Sequence, residues 1–139
     1  MICKKLYLDY KNFVEVNQWG DADLLMGTIN ICDSSIAQLP DIAKIKEFIS
    51  KIDLITPHMD DFGTALGSYA LNASASVYET LEFITDQDNT HIFNIGNYYT
   101  DTVDFKIQEE GDLTELEIEN HPLMIAAWNF ILEQTKNNA

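Results

Sequence analysis

Apolar residues recur every three to four positions along most of the 139-residue chain, a spacing typical of amphipathic helices rather than strands. Only three Pro and six Gly interrupt this pattern. It predicts a first helix over residues 4–17, and a second helix with Asp21 as its N-cap and Ile36 among its inward residues. A third helix is predicted to begin after Pro40-Asp41. The periodicity therefore favours an all-α fold.

The longest predicted helix covers residues 61–85, with Asp60 or Asp61 as its N-cap. Its inward positions are rich in alanine, which lets neighbouring helices approach closely, so we predict that it lies at the centre of a bundle. The predicted inward residues are Leu66, Ala70, Ala73, Val77, Leu81 and Ile84.

The C-terminal third predicts further helices of the same bundle. A fifth helix begins at Asp88 or Asn89 and reaches about Glu109. Residues 111–120 alternate between acidic and apolar positions and fit a loop, a short helix or a strand. Pro122, at a first helical position, begins the last helix. Its predicted inward residues are Met124, Ala127, Trp128, Ile131 and Leu132. Residues 1–139 are thus predicted to form a single-domain helical bundle of five to six helices.

Charge is distributed very unevenly along this pattern. The chain has no Arg and a formal net charge of −15. Residues 1–51 hold six Lys against seven acidic residues, whereas residues 52–139 hold two Lys against sixteen. Such a field repels nucleic acids and anionic lipids and attracts cationic surfaces. We therefore expect a basic protein partner, and we expect neither nucleic-acid binding nor membrane binding.

The two cysteines and the first residues of the chain point to the cytoplasm. Cys3 and Cys32 belong to no metal-ligand or redox pattern, so we expect buried, reduced thiols. The first 16 residues, MICKKLYLDYKNFVEV, lack the apolar core and cleavage site of a signal peptide. No apolar stretch approaches the roughly 20 residues of a membrane span. The expected location is cytoplasmic.

Polar residues at helical spacing form one ridge on each of two predicted helices. On the longest helix these are Ser68, Asn72, Ser76, Glu79, Glu82 and Asp86, and on the fifth they are Asn94, Asn97, Asp101, Asp104 and Gln108. A solvated face is one interpretation. A partner-binding surface is the other, because no Lys or Arg offsets the carboxylates and because amides and hydroxyls are interleaved with them. We predict the second, with Tyr98 as a neighbouring aromatic anchor.

Signals for catalysis and for cofactors are weak. The chain has no Gly-x-Ser-x-Gly motif and no phosphate-binding glycine loop. The acidic pairs on the two ridges lack the His of the Glu-x-x-His motif that di-iron bundles use. His58 with Asp60 and Asp61 is the best local group of metal ligands, but helix capping and interaction with the helix dipole explain the two acids better. We predict no catalytic residue, no metal and no cofactor, and hence no enzyme.

Several segments carry a family resemblance. The strongest is residues 75–104, which contain Ala75-Ser-Val-Tyr-Glu-Thr-Leu-Glu-Phe-Ile84, His91-Ile-Phe-Asn-Ile-Gly96 and Asp101-Thr-Val-Asp104, with His121-Pro-Leu-Met124 and the Trp19-Gly-Asp21 segment outside them. These segments resemble the YjaG-like family of uncharacterised bacterial proteins, over roughly residues 5–135. The resemblance implies an all-helical bundle of bacterial, cytoplasmic origin and no established reaction.

Small acidic domains similar to this one also occur as immunity proteins beside interbacterial toxins. Our leading hypothesis is therefore a cytoplasmic immunity protein that binds and inhibits a basic toxin domain of the nuclease class. A nuclease carries Lys and Arg to hold phosphates, and an acidic helical surface can occupy that groove. The alternatives are a housekeeping helical bundle of unassigned function, and a metal-dependent enzyme that uses His58, Asp60 and Asp61.

Overall fold

The computed structural model describes residues 1–137, with side chains through Gln134, so the last two residues of the predicted domain lie outside the described residues. Residues 1–137 form α-helices and no strand, which confirms the all-α prediction. The helices are α1 (Ile2–Asn17), α2 (Ala22–Ala37), α3 (Ile42–Leu54), α4 (Ala65–Asp86), α5 (Thr90–Gln108), α6 (Glu115–Glu119) and α7 (Pro122–Asn137). The described part of the chain thus has seven helices rather than five to six. The additional one is the short α6, in the segment that the sequence left open.

Side-chain caps start α2 and α3 at the predicted residues. The Asp21 carboxylate accepts a hydrogen bond from the Leu24 backbone N–H at 2.9 Å, and the Asp41 carboxylate accepts one from the Lys44 N–H at 3.3 Å. Each bond satisfies one backbone donor that the first turn of a helix leaves unpaired. The predicted capping role of Asp21 and the predicted start of α3 after Pro40-Asp41 are confirmed.

The predicted cap of the longest helix is wrong. Thr64 caps α4, because its hydroxyl oxygen accepts from the Gly67 N–H at 3.1 Å. Asp60 and Asp61 are exposed in the preceding loop, three to four residues too early. The backbone of that loop crosses the first turn so closely that a Cβ on Gly67 would lie 2.0 Å from the Phe62 carbonyl oxygen. This close approach delays the helix start to Thr64.

α4 lies at the centre of the bundle, as predicted. It contacts α1, α2, α3 and α5, while α7 packs against the outer side of α5, and α6 contacts both α5 and α7. Ala70, Ala73, Val77 and Leu81 are almost completely buried. None of the described helices combines the length and the hydrophobicity needed to cross a bilayer.

Tyr10 ties three helices together in the core. Its hydroxyl donates to the Ile55 carbonyl oxygen at 2.6 Å and accepts from the Asp21 N–H at 3.3 Å. Burial raises the pKa of Tyr10 to about 12. Gly20 has a φ of 97°, and a Cβ there would lie 2.6 Å from the Tyr10 hydroxyl. Glycine is therefore required between α1 and α2.

Three residues predicted to point inward are largely exposed. Ile36, in the last turn of α2, is 71% exposed, and Trp128 and Leu132 on α7 are 53% and 55% exposed. Helical periodicity gives the direction of a side chain but not the extent of its covering neighbour. Because α7 is covered mainly by α5, much of its apolar side remains open to solvent. This exposed side of α7 forms one wall of a groove between α5, α6 and α7.

Candidate functional site

The first half of the predicted α4 ridge is not a surface. Asn72 is 8% exposed and Ser76 is fully buried, while Ser68 is half-buried. The Asn72 amide donates to the Thr102 hydroxyl of α5 at 3.0 Å, and the Ser76 hydroxyl donates to the Ala73 carbonyl oxygen at 2.7 Å. Because helices surround α4, polar residues opposite its apolar stripe also face protein. Asn72 and Ser76 are therefore packing residues, which corrects the prediction that they contact a partner.

The second half of that ridge forms a network with the start of α5. His91 Nδ1 is hydrogen-bonded to Glu79, and His91 Nε2 lies 3.0 Å from Asp86 Oδ2. The Asn94 amide donates to the other Glu79 oxygen at 3.2 Å. These bonds, that to Asp86 foremost, raise the pKa of His91 to about 9. Glu79 is only 14% exposed at its side chain, so the predicted free carboxylate is instead part of an interhelical contact.

Three potential metal ligands lie together, but not in the group of His58, Asp60 and Asp61 that the sequence analysis considered. In the part of the chain that the structure describes, the residues His58–Asp61 do not bring three ligand atoms together. Glu82, Asp86 and His91 do, with one donor atom of each within 4.8 Å of the others. His91 was not selected from the sequence, because its carboxylate neighbours on α4 come close to it only when α5 folds back on α4.

The second acidic group lines an open groove of about 580 Å³ between α5, α6 and α7. We call this the acidic groove. Its carboxylates are Asp101 and Asp104 of α5, and Glu115 and Glu119 of α6. Its other lining residues are Thr100, Gln108, Leu113, Ile118, Met124 and Trp128. The groove thus combines four carboxylates with apolar side chains, and its volume falls in the usual range of ligand pockets.

Short polar contacts stabilise α6 and the segment that joins α5 to α7. The Thr114 hydroxyl accepts from the Glu117 N–H at 3.2 Å, and the Glu117 carboxylate accepts from the Thr114 N–H at 3.1 Å, which is a capping box. His121 Nδ1 accepts from the Leu123 N–H at 3.1 Å, so its Nε2–H donates to Glu110 at 2.9 Å. The second contact closes the base of the α5–α7 connection. These local bonds explain why an acidic, alternating segment forms a helix here.

The four groove carboxylates have no cationic partner among the side chains of residues 1–134. The ion pairs of that part of the chain involve other acids. Lys106 also lies on α5, but on a different face from Asp104 and Gln108, and its ammonium contacts both carboxylate oxygens of Asp9 on α1 at 2.8 Å. Asp104 accepts only a neutral hydrogen bond, from the Gln108 amide at 2.7 Å. The groove therefore keeps its negative charge.

The aromatic residue at this surface is not the predicted one. Tyr98 is half-buried, and burial raises its pKa. Trp128 is 53% exposed and forms part of the groove wall. Sequence reasoning placed Trp128 inward and did not select Glu115 or Glu119. Glu115 and Glu119 belong to the acidic segment 111–120, whose structure the sequence left open. That segment could be assigned to a site only once its neighbours in the fold were known.

The comparisons with known proteins identify a family. A crystal structure of a DUF416 family protein from Shewanella baltica OS155, at 1.91 Å resolution, matches with a TM-score of 0.82 and 22% sequence identity. The match covers 98% of this chain and 74% of that chain, and at this identity it shows the fold alone. Curated proteins gave no significant match. The family model described as "Protein of unknown function (DUF416)" matches residues 1–137. The expectation of an uncharacterised family with bacterial members is confirmed, and the chain belongs to the DUF416 family.

Proposed function

We propose that this chain is an interaction protein that binds a basic protein partner in the acidic groove, and that it acts as an immunity-type inhibitor of a basic toxin domain of the nuclease class. One observation carries the proposal. Four carboxylates without a cationic partner among the described side chains line the same groove as Trp128, which is 53% exposed. Carboxylates of this kind attract cations, and an exposed Trp is the residue type most enriched among interface anchors.

The chemistry of the groove favours a partner that presents Lys or Arg. Their charged heads would pair with the groove carboxylates, Asp101 and Asp104 on α5 and Glu115 and Glu119 on α6. Their aliphatic stems, or the guanidinium plane of Arg, would pack on the indole of Trp128. A nuclease needs such cations to hold phosphates. A partner that uses them to bind this groove loses access to its substrate.

The proposal moves the contact surface from the one predicted from sequence. Asp101 and Asp104 stay in it, and Trp128, Glu115 and Glu119 join them. Glu79, Glu82 and Asp86 lie near the other end of α5, since ten residues separate His91 from Asp101 and a helix rises about 1.5 Å per residue. We also propose that the chain is a YjaG-like member of its family and that it is located in the cytoplasm.

A defined cationic peptide tests the binding step. The probe is a fluorescein-labelled amphipathic helix with Arg on one face and Leu on the other, and the same helix with Glu in place of Arg is the control. We expect the Arg peptide to bind, and D101N/D104N and W128A each to weaken binding at least tenfold. The matched control D60N/D61N removes two exposed acids outside the groove and should leave affinity unchanged. Equal losses in both double variants would contradict a specific groove.

The inhibitor step needs a separate test, namely co-expression with the protein encoded by the gene immediately upstream. If that protein is a basic toxin, growth should recover with the wild-type chain and not with W128A or D101K/D104K. Recovery with the groove variants would place inhibition elsewhere on the surface. A harmless upstream product would remove the inhibitor role and favour the alternative, a housekeeping helical bundle.

A further inference from the structure

The junction of α4 and α5 lies apart from the acidic groove. α4 ends at Asp86, and its C-cap Gln87, with a left-handed φ of 59°, reverses the chain. The reversal brings His91, in the first turn of α5, against Glu82 and Asp86, which lie one turn apart on α4. Three donor atoms of two chemical kinds, one imidazole nitrogen and two carboxylate oxygens, therefore converge from two helices.

The spacing of these atoms suits a small divalent cation. One donor atom of each residue lies within 4.8 Å of the other two. Zinc binds imidazole nitrogen and carboxylate oxygen at about 2.0–2.2 Å, so two ligand atoms on one ion lie roughly 3–4 Å apart. The Asp86–His91 pair, at 3.0 Å, is already close to this spacing, so rotation of the Glu82 side chain with a small adjustment at Asp86 would complete the set. Both are long enough, and exposed enough, to rotate without moving the backbone.

The histidine is already oriented for this role. Its Nδ1 is held by Glu79, and Asn94 holds the second Glu79 oxygen at 3.2 Å. In metal sites the nitrogen that does not bind the metal typically donates to a carboxylate, which fixes the tautomer and the ring orientation. Here that arrangement points Nε2 toward Asp86, at 3.0 Å from Oδ2. A metal ion would lie beside this contact, within bonding distance of both Nε2 and Oδ2.

The negative charge around His91 favours binding of a dication over the hydrogen bonds that the imidazole makes in the structure. Glu79, Glu82, Asp86 and Asp88 lie around His91. Among the described side chains, no Lys pairs with any of the four. One imidazolium therefore faces four carboxylates, which repel one another. A dication in place of one proton adds a positive charge at the centre of the group.

We propose that Glu82, Asp86 and His91 bind one zinc-class divalent transition-metal ion, with Glu79 orienting the imidazole. The nitrogen donor separates this class from Mg²⁺ and Ca²⁺, which prefer all-oxygen sites. Three protein ligands leave one position of a tetrahedral ion for water or for a group from outside the chain. Glu79 and Asn94 do not touch the ion and act as positioning residues.

Titration of the chelator-treated full chain with Zn²⁺, Co²⁺ and Mg²⁺ tests the site. We expect one equivalent of Zn²⁺ to bind by calorimetry, the visible absorption bands of four-coordinate Co²⁺, and no comparable binding of Mg²⁺. H91Q should abolish the Co²⁺ bands, and E82Q and D86N should each weaken Zn²⁺ binding at least tenfold. E79Q should keep the stoichiometry but weaken affinity by about 10- to 100-fold, the range for residues that support a ligating histidine.

H121Q is the matched control. His121 also contacts a carboxylate, Glu110 at 2.9 Å, but no third ligand joins that pair in the described part of the chain. H121Q should therefore bind Zn²⁺ like the wild type. E82Q and D86N alter partly exposed side chains, so they keep the test valid if circular dichroism shows that H91Q unfolds. Wild-type Zn²⁺ affinity in folded H91Q or in both carboxylate variants, or equal affinity for Mg²⁺ and Zn²⁺, would overturn the proposal.

Discussion

The ammonium of Lys106 on α5 contacts both carboxylate oxygens of Asp9 on α1, each at 2.8 Å. Lys106 is the only Lys or Arg in the sequence between Lys51 and Lys136. Its side chain also crosses the ring of Tyr69, with Nζ 5.2 Å from the ring centroid. The contact joins α1 to α5 on a face of α5 away from Asp104 and Gln108. Lys106 is therefore paired with Asp9 and does not neutralise the carboxylates of the acidic groove.

Removing this cation should destabilise the fold. In K106M, Asp9 keeps its charge at a side chain that is 15% exposed, without a partner. We expect the free energy of unfolding to fall by about 1–3 kcal/mol, the usual cost of leaving a charged group without its hydrogen bonds. Urea denaturation measures the change. D9N/K106M should recover most of the loss, and an unchanged midpoint in K106M would show that the pair contributes little.

Charge reversal in the groove should separate binding from folding. Asp101 is exposed and Asp104 is half-buried, and neither pairs with a described cation, so D101K/D104K should keep its thermal midpoint or gain slightly from reduced repulsion. Binding of a basic partner should weaken by about 2–5 kcal/mol for each desolvated pair lost. D60K/D61K, at an exposed pair outside the groove, is the control for net charge.

Association with a basic partner should depend strongly on salt. The Debye length falls from about 14 Å at 50 mM to roughly 4 Å at 500 mM, so exposed charges no longer steer the encounter at the higher concentration. We expect the association rate of the Arg peptide to fall at least several-fold over this range, with a smaller change in dissociation. Stopped-flow fluorescence gives both rates. A salt-independent association rate would indicate that apolar contacts at Trp128 dominate.

His91 should make the stability of the chelator-treated protein depend on pH. Glu79, Glu82, Asp86 and Asp88 surround the ring, and its pKa is raised from 6.5 to about 9. A raised pKa in the folded state means that the stabilisation is complete below pH 6.5 and is lost as pH rises through about 9. The free energy of unfolding, from urea melts in EDTA, should therefore fall between pH 6.5 and 9.5. H91Q should lose this dependence, and an identical pH profile in H91Q would contradict the assignment.

The two thiols should react slowly while the protein is folded. Cys3 and Cys32 are 2% and 1% exposed, and both are free. Burial raises the pKa of Cys3, and it raises that of Cys32 to about 12, so little reactive thiolate is present near neutral pH. We expect Ellman's reagent to label neither thiol in buffer on the timescale on which it labels both in urea. Rapid labelling of the native protein would show that the α1–α2–α4 contact opens easily.

The helices of this protein were predictable because they depend on local sequence. Periodicity marks the inner faces of α1 and α4, and short-range capping by Asp21 and Asp41 marks where α2 and α3 begin. Prediction failed where the loop before a helix packs on the first turn of that helix. The loop at Phe62, packed on Gly67, moved the start of α4 past Asp60 and Asp61 to Thr64.

The site was less predictable, because exposure is a property of neighbours rather than of spacing. The same polar periodicity marks Asn72, which lies inside the bundle, and Asp101, which faces solvent in the groove. The difference is that helices surround α4, whereas α5 has an open side beside α6 and α7. His91 likewise acquired its carboxylate partners only when the chain reversed at Gln87.

The sequence by itself determined an all-helical chain and a strongly negative charge concentrated after Lys51, because helix propensity and formal charge are summed over local residues. Only the tertiary structure decided which acids are partnered. It turned Lys106 toward Asp9, and it left Asp104 in a groove beside an exposed Trp128. The physical reason is that pairing and burial depend on distances of a few ångströms between helices, which no pattern along a single helix specifies.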